Sequence, residues 1–298
     1  MQRIHDIARA VEVESGAPFR AETVTPIAGG SRWQTLKMEN ARHGKPGAVF
    51  VKLGEAAHDA VFIAECDGLA ALAHAASGLR IPRPILRGCD DEAAWLVLEW
   101  IELSPLSASA AARAGEAFAD LHRSVGSEFG WPRDNFIGAS VQVNTPSKDW
   151  VEFFQHRRLL AQLHLAAQNR YPAKMIDRGE RLVADLPALF RGYEPAASLL
   201  HGDPWAGNVA MDAEGRPVAF DPAVYRGDRE ADVAMCELFG GYPPEFFAAY
   251  RNAWALDAGY AVRKHLYNLY HILNHANLFA GSYVARAGEM IEQLLAEL

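Results

Sequence analysis

His201 to Pro222 reads HGDPWAGNVAMDAEGRPVAFDP, and within it Asp203, Asn208 and Asp221 stand in an order that suits metal-assisted phosphoryl transfer. That chemistry needs a carboxylate to handle the accepting hydroxyl, and oxygen ligands for the magnesium ions that bridge nucleotide phosphates. Asp203 can supply the first, Asn208 and Asp221 the second. Asn208 follows Asp203 by five positions, the D-x-x-x-x-N spacing of a kinase catalytic loop, so one short loop can aim both side chains at one phosphate group. Leu199-Leu200 enters the loop, and Val209-Ala210-Met211 and Val218-Ala219-Phe220 flank the turn-like Asp212-Ala213-Glu214-Gly215. A hairpin is expected, with Asn208 opening one strand and Asp221 closing the other. Pro204 biases Asp203 away from helical angles. An isolated Asp in such a loop reads equally well as a turn cap; the second Asp, ending an apolar strand, tilts the set toward chemistry.

Upstream, Gln2 to Glu14 carries an apolar stripe of Ile4, Ile7, Ala8 and Val11 and predicts a packing helix. Strands are expected at Ala21 to Ile27 and Trp33 to Met38, joined by a glycine turn in which Gly29 and Gly30 let backbone approach phosphate and Ser31 adds a hydroxyl. Ala48 to Leu53 reads as a strand with Lys52 inside it, and Phe62 to Ala76 as a helix carrying Glu65. A lysine within an apolar strand either faces water or has an anionic partner. A kinase arrangement offers two, nucleotide phosphates and a glutamate on the next helix. Ile85 to Arg87 and Ala94 to Trp100 complete five strands before residue 101. Glu99, Trp100 and Ile101 then form the connection where an adenine would meet backbone hydrogen bonds.

Beyond it the pattern turns helical, at Ala110 to Arg123, Lys148 to Ala166, Tyr171 to Phe190, Glu230 to Phe239, Pro244 to Trp254, Arg263 to Phe279 and Tyr283 to Leu298. The expected fold is α+β and bilobal, with an antiparallel N-terminal lobe over 1–100 and a larger helical lobe over 101–298. Arg157-Arg158 reads as a solvated pair, and Arg263-Lys264 as balance for an acidic surface. His271 and His275 share a helical face at a spacing that can bind metal, but no zincin glutamate lies between them, which favours packing or substrate contact.

Across 298 residues the formal charge is −8, with 50% hydrophobic and 22% charged residues. An acidic balance argues against general nucleic-acid binding, where basic surface supplies much of the affinity. Cys66, Cys89 and Cys236 form neither a C-x-x-C nor a disulfide framework, which suits a reducing, cytoplasmic setting. The first 14 residues lack a signal peptide's continuous apolar core, and no apolar run approaches the roughly 18 residues of a membrane span.

Beyond the generic catalytic residues, FGWPRDNFIG from Phe129, DWVEFFQHRRL from Asp149, LLHGDPWAGN from Leu199, FDPAVYRGDRE from Phe220, DVAMCELFGG from Asp232 and the run from Arg263 to Tyr283 resemble the fructosamine kinase (ketosamine 3-kinase) family over nearly the whole chain. That family shares a protein-kinase-like fold with aminoglycoside phosphotransferases. The resemblance implies ATP-dependent phosphorylation of the C3 hydroxyl of a small-molecule or protein-bound ketosamine, a step in deglycation. It implies Asp203 as catalytic base or hydroxyl-orienting residue, Asn208 and Asp221 as Mg2+ ligands, Lys52 on the phosphates, Glu65 orienting Lys52, and a structural role for Asp232. His201 and Trp205 would frame the catalytic loop, and His201, Trp205, Asp228, Glu230 and the aromatic segment Tyr267 to Phe279 are candidates for the sugar-amine. Two departures stand out: Ser31-Arg32-Trp33 after the paired glycines, and Pro204 where leucine is usual. The alternatives are a phosphotransferase for an aminoglycoside, choline or another hydroxylated amine, and an inactive nucleotide-binding module. A monomer or weak homodimer is expected.

Overall fold

The computed structural model describes residues 2–27, 33–40, 47–75 and 78–298; Gly29, Gly30 and Ser31 lie outside them. The first lobe is a five-stranded antiparallel sheet of order β1-β2-β3-β5-β4, formed by β1 (Ala21–Pro26), β2 (Gln34–Asn40), β3 (Ala48–Glu55), β4 (Pro84–Cys89) and β5 (Ala93–Glu99). Strand side chains alternate between faces, and β3 and β5 use both. Val49, Val51 and Val97 pack with Leu36, Met38, and Ile7 and Val11 of helix α1 (Gln2–Ser15). Phe50, Leu96 and Leu98 turn the other way, toward Phe62 and Leu69 of α2 (Asp59–Ala75). Lys52 shares the parity of Phe50, so period two alone aims it at the α2 side. On α2 the buried stripe of Phe62, Glu65, Leu69 and Leu72 follows helical spacing. Glu65 therefore faces the strand that carries Lys52.

From residue 108 the chain is mainly helical. The helices are α3 (Ala108–His122), α4 (Trp150–Phe153), α5 (Leu160–Gln168), α6 (Ala173–Asp185), α7 (Glu230–Leu238), α8 (Pro244–Ala253), α9 (Tyr260–Phe279) and α10 (Ser282–Ala296). A π-helical segment, Phe154–Leu159, joins α4 to α5, so the expected helix over 148–166 exists with a wide turn in its middle. Between α3 and α4 lie three short strands, β6 (Val125–Gly126), β7 (Asn135–Ile137) and β8 (Ser140–Gln142). The expected catalytic hairpin is β10 (Val209–Met211) against β11 (Pro217–Ala219), antiparallel, while β9 (Ala197–Leu200) pairs with β12 (Tyr225–Gly227). Among the described residues no helix is long and apolar enough to cross a membrane.

The β10–β11 hairpin also joins the lobes. Its outer edges bond to Arg80, through Arg80 N to Pro217 O at 2.8 Å and Ala219 N to Arg80 O at 3.1 Å, and to Ser104, which exchanges two 2.9 Å bonds with Met211. In its turn the buried Asp212 carboxylate accepts from the backbone N–H of Glu214 and Arg216, and from the guanidinium groups of Arg216 (2.8 Å) and Arg80 (3.0 Å). Arg80 donates in turn to Glu99 at 3.2 Å. Burial opposes a charge on Asp212, but the Arg216 N–H and the two guanidinium groups prevail and hold it down to about 2.

Two expectations about surface charge are corrected. Arg158 is fully buried, and Arg263 is buried in a bidentate pair with Glu230 at 2.9 and 3.2 Å. Charge in a sequence predicts exposure only until tertiary structure supplies partners.

Because the Asp212 carboxyl is more acidic folded than unfolded, its contribution is present above about pH 4 and lost as pH falls toward 2. Asp212→Asn should cost on the order of 2 kcal/mol at pH 7, and the gap to wild type should shrink by roughly half at pH 3. Urea unfolding at both pH values measures it.

Candidate active site

A cavity of about 590 Å³ opens between the lobes, lined by Lys52, Glu65, Asp203, Asn208 and Asp221 together. At its centre the Lys52 ammonium, 2% exposed, donates to both carboxylate oxygens of Glu65 at 2.7 and 2.8 Å and to Asp221 Oδ1 at 2.7 Å. One cation thus ties the sheet, α2 and the loop after β11. Burial works against its charge, but Asp221 and then Glu65 hold the ammonium protonated well above its usual range. Burial also pushes the Glu65 carboxyl up to about 7, although Lys52 opposes the shift. Trp33 lies 5.5 Å from the Lys52 nitrogen, ring face toward the cation.

Asp221 is 44% exposed, and its backbone sits at φ +54, a left-handed conformation that a non-glycine residue adopts at a cost. The hairpin imposes that conformation, since Phe220 N–H donates to Asn208 O and Ala223 N–H to His201 O. The segment beyond Asp221 presses on α2, because a Cβ at Gly68 would lie 3.2 Å from Pro222 and 3.3 Å from Val224. A side chain there would have to shift Pro222 or Val224 to fit.

The loop that carries Asp203 is held from below. Asp232 on α7 accepts from the backbone N–H of His201 (2.7 Å) and Gly202 (2.9 Å) and contacts His122 at 3.1 Å. Gly202, at φ +84, is required there, because a Cβ would fall 2.0 Å from Ala223 O. His201 is buried and neutral. Its Nε2–H donates to Phe220 O and its Nδ1 accepts from Asp203 N, the tautomer these partners demand, and burial lowers its affinity for a proton. The Asn208 amide donates to Asp203 O at 2.9 Å and to Asp203 Oδ2 at 3.2 Å. Burial, then the charges of Asp221 and Asp232, push the half-buried Asp203 carboxyl well above its ordinary range, with the Asn208 amide opposing.

Glu99, Trp100 and Ile101 line the other end, where Leu98, Phe50 and Ile27 supply apolar wall. The Glu99 carboxylate accepts from Arg80 and from Arg83 N–H, while Lys37 stands 4.7 Å over the Trp100 ring. Trp205, 41% exposed, lines the cavity near Asp203. The structure does not bring Asp228 and Glu230 there. Asp228 is buried under the hydroxyls of Tyr193 and Tyr267 and the Glu230 N–H, and Glu230 is taken by Arg263. His201 is likewise buried and outside the lining, so its contact is with the loop alone. His275 Nδ1 bonds to His271 O, and burial pushes His271 down to about 3. Sequence reasoning missed Asn135, Phe136 and Gly138, which line the same cavity on the β7–β8 hairpin, with β7 packed against α2. The available signal was the FGWPRDNFIG stretch, recognisable as a motif but not as a hairpin.

The fructosamine kinase family profile matches residues 3–297. The chain belongs to the fructosamine kinase family. It is 40% identical over 294 residues to the "Probable ketoamine kinase" of Synechocystis sp., covering 97% of this chain and 96% of that one. It is 35% identical over 252 residues to the chloroplastic protein-ribulosamine 3-kinase of Arabidopsis thaliana, covering 84% and 76%. A crystal structure from Thermobifida fusca, provisionally named fructosamine-3-kinase, superposes with TM-score 0.86 at 30% identity over 98% and 99% of the two chains. An ADP-bound aminoglycoside phosphotransferase reaches TM-score 0.64 at 10% identity over 98% of each chain, a likeness of fold alone. The family's bilobal, kinase-like α+β fold is the fold of this chain.

Removing Lys52 leaves Glu65 buried without its cation. Glu65 already binds its proton more tightly folded than unfolded, so its cost is absent below about pH 4.5 and grows as pH rises toward 7. Lys52→Met should therefore destabilise by about 3 kcal/mol near pH 8 and by less near pH 5. Adding Glu65→Leu should restore much of the loss, as read by urea unfolding at each pH.

Proposed function

We propose that this chain transfers the γ-phosphoryl group of ATP to the C3 hydroxyl of a ketosamine, a fructosamine or ribulosamine on a small or protein-bound amine. The phosphorylated product then breaks down to release the amine, which makes the reaction a deglycation step. The observation that carries the reading is the Lys52 bridge to Glu65 and Asp221 in the same cavity as Asp203 and Asn208. Relatives named ketoamine kinase and protein-ribulosamine 3-kinase, matched over most of the chain, favour ketosamines over aminoglycosides or choline.

The residues fit a magnesium nucleotide. One ammonium faces Glu65, Asp221 and the nearby Asp203, so the ionised site is short of positive charge and suits a divalent cation arriving with polyphosphate. Among the described residues no three acidic, histidine or cysteine side chains form a ready metal nest. Mg2+ commonly takes only one or two protein carboxylates and completes its shell with phosphate oxygens and water. Asn208 and Asp221 would hold it, and the bound ion neutralises charge on the phosphates. Lys52, kept extended by Glu65, binds phosphate oxygens. Asp203, anchored by its loop and the Asn208 amide, accepts the hydrogen bond of the C3 hydroxyl and aligns it for transfer. Glu99 to Ile101 receive the adenine among the apolar walls, and Gly29, Gly30 and Ser31 are assigned to the phosphates. Trp205 is assigned to the acceptor side.

The lobe boundary is placed at residues 100–101, directly after β5 ends at Glu99. We infer a monomer or weak homodimer, and the three free cysteines suit the cytoplasm.

The test is incubation with Mg2+-ATP and a panel of ribulosamines, fructosamines, aminoglycosides and choline, with products identified by mass spectrometry. Transfer to ketosamines is expected, and exclusive transfer to another class overturns the proposal. Asp203→Asn should lower kcat by at least about 10³-fold while leaving ATP affinity within about threefold of wild type. Unchanged turnover would remove Asp203 from its role.

A further inference from the structure

Arg158, in the π-helical segment, is 0% exposed, and no carboxylate among the described residues forms an ion pair with it. A lone buried guanidinium is costly, and the mechanism above makes no use of it. It lies between aromatic rings, 4.1 Å over Tyr225 and 4.7 Å over Phe153, and donates to the Val143 and Arg157 carbonyls and to Asn144 Oδ1 at 2.8 Å. From there a chain of buried amides leads to the cavity. Asn144 Nδ2 donates to Asn135 Oδ1 at 2.7 Å, and Asn135 Nδ2 donates to Val224 O at 2.6 Å. Gln142 Nε2 donates both to Asn135 Oδ1 at 2.8 Å and to Ala223 O at 3.0 Å, while the Tyr270 hydroxyl donates to Gln142 Oε1.

The direction of this chain is forced. Arginine only donates and a backbone carbonyl only accepts, so with Arg158 at one end and Val224 O at the other each amide between has one permitted orientation. The chain ends on two structures of the candidate active site. One is the β7–β8 hairpin, whose Asn135, Phe136 and Gly138 wall the cavity. The other is the Ala223-Val224 backbone, which follows Asp221-Pro222 and packs on Gly202 of the catalytic loop. The geometry points to Arg158 as a positioning residue for the phosphate acceptor: through Asn144 and Asn135 it fixes the β7–β8 wall, which we assign to the acceptor, relative to the catalytic loop that carries Asp203. The inference rests on the functional reading above for the ketosamine acceptor and for the role of Asp203.

Asn144→Asp separates this role from plain burial. The new carboxylate keeps the bond from Arg158 and gives it an ion pair, but it has no N–H for Asn135. Asn135 must then face oxygen against oxygen or flip and release Val224 O. The melting temperature is expected within about 3 °C of wild type. The ketosamine kcat/KM should fall at least about tenfold with KM for ATP changed less than about twofold. Amide hydrogen exchange in the peptides spanning 135–142 and 222–226 should quicken by about tenfold without any substrate. Arg158→Met should show the same acceptor-selective loss, and Arg158→Lys, which keeps a donor, should recover part of it. Unchanged exchange in folded Asn144→Asp overturns the relay, as does a loss shared equally between ATP and acceptor. A wild-type protein that phosphorylates no ketosamine overturns the functional reading instead, and the exchange measurement still decides the relay.

Discussion

The buried ammonium of Lys52 is the constraint on which the site turns. Placed by strand parity on the α2 face of the sheet, the charge would be expensive there unpaired, and it takes Glu65 from α2 and Asp221 from the loop after β11. Each partner is itself held: Glu65 because Gly68 lets α2 settle on Pro222 and Val224, and Asp221 because the β10–β11 hairpin and the His201–Ala223 bond impose its left-handed backbone. Three elements from two lobes thus share one charge. A change in any of them should be felt in the others, since close pairs in one network do not contribute additively.

Around that centre the molecule uses polar networks of two kinds. Those that touch the catalytic loop, such as Asp232 with His201 and Gly202, end on backbone N–H groups and fix where Asp203 begins. Those of the second kind run between side chains: amides from Arg158 reach the β7–β8 wall of the cavity, while Glu230 pairs with Arg263 and Asp228 with two tyrosines. Buried polar groups that have partners specify one arrangement more sharply than apolar packing does, and in these networks only Arg158 Nε, among the described residues, has none. A phosphoryl transfer site that works by alignment needs that sharpness.

The parts legible in sequence were those whose geometry is local. The apolar runs flanking Asp212 to Gly215 gave the hairpin, and the kinase arrangement of a strand lysine with a glutamate on the next helix gave the pairing of Lys52 with Glu65. What stayed hidden depends on contacts between distant segments. Nothing around Arg158 or Arg263 distinguishes a buried guanidinium from a solvated one, and the expectation of exposure failed at both. Asp228 and Glu230 lie in the strongest family motif and were assigned to substrate, yet their partners Tyr193, Tyr267 and Arg263 lie 33 to 39 positions away in the chain. Asp212 read as a turn residue, which it is, but its tie to Arg80 spans 132 positions. The short strands β7 and β8 carry too few residues for alternation to show.

The measurement that bears most directly on the Lys52 centre is a crystal structure with Mg2+ and a non-hydrolysable ATP analogue. The account predicts that Lys52 keeps Glu65, gives up its direct bond to Asp221 and takes phosphate oxygens, while Asp221 and Asn208 turn to the metal. Nucleotide bound elsewhere, or bound with the Lys52–Asp221 pair intact and no metal on Asp221, would contradict it.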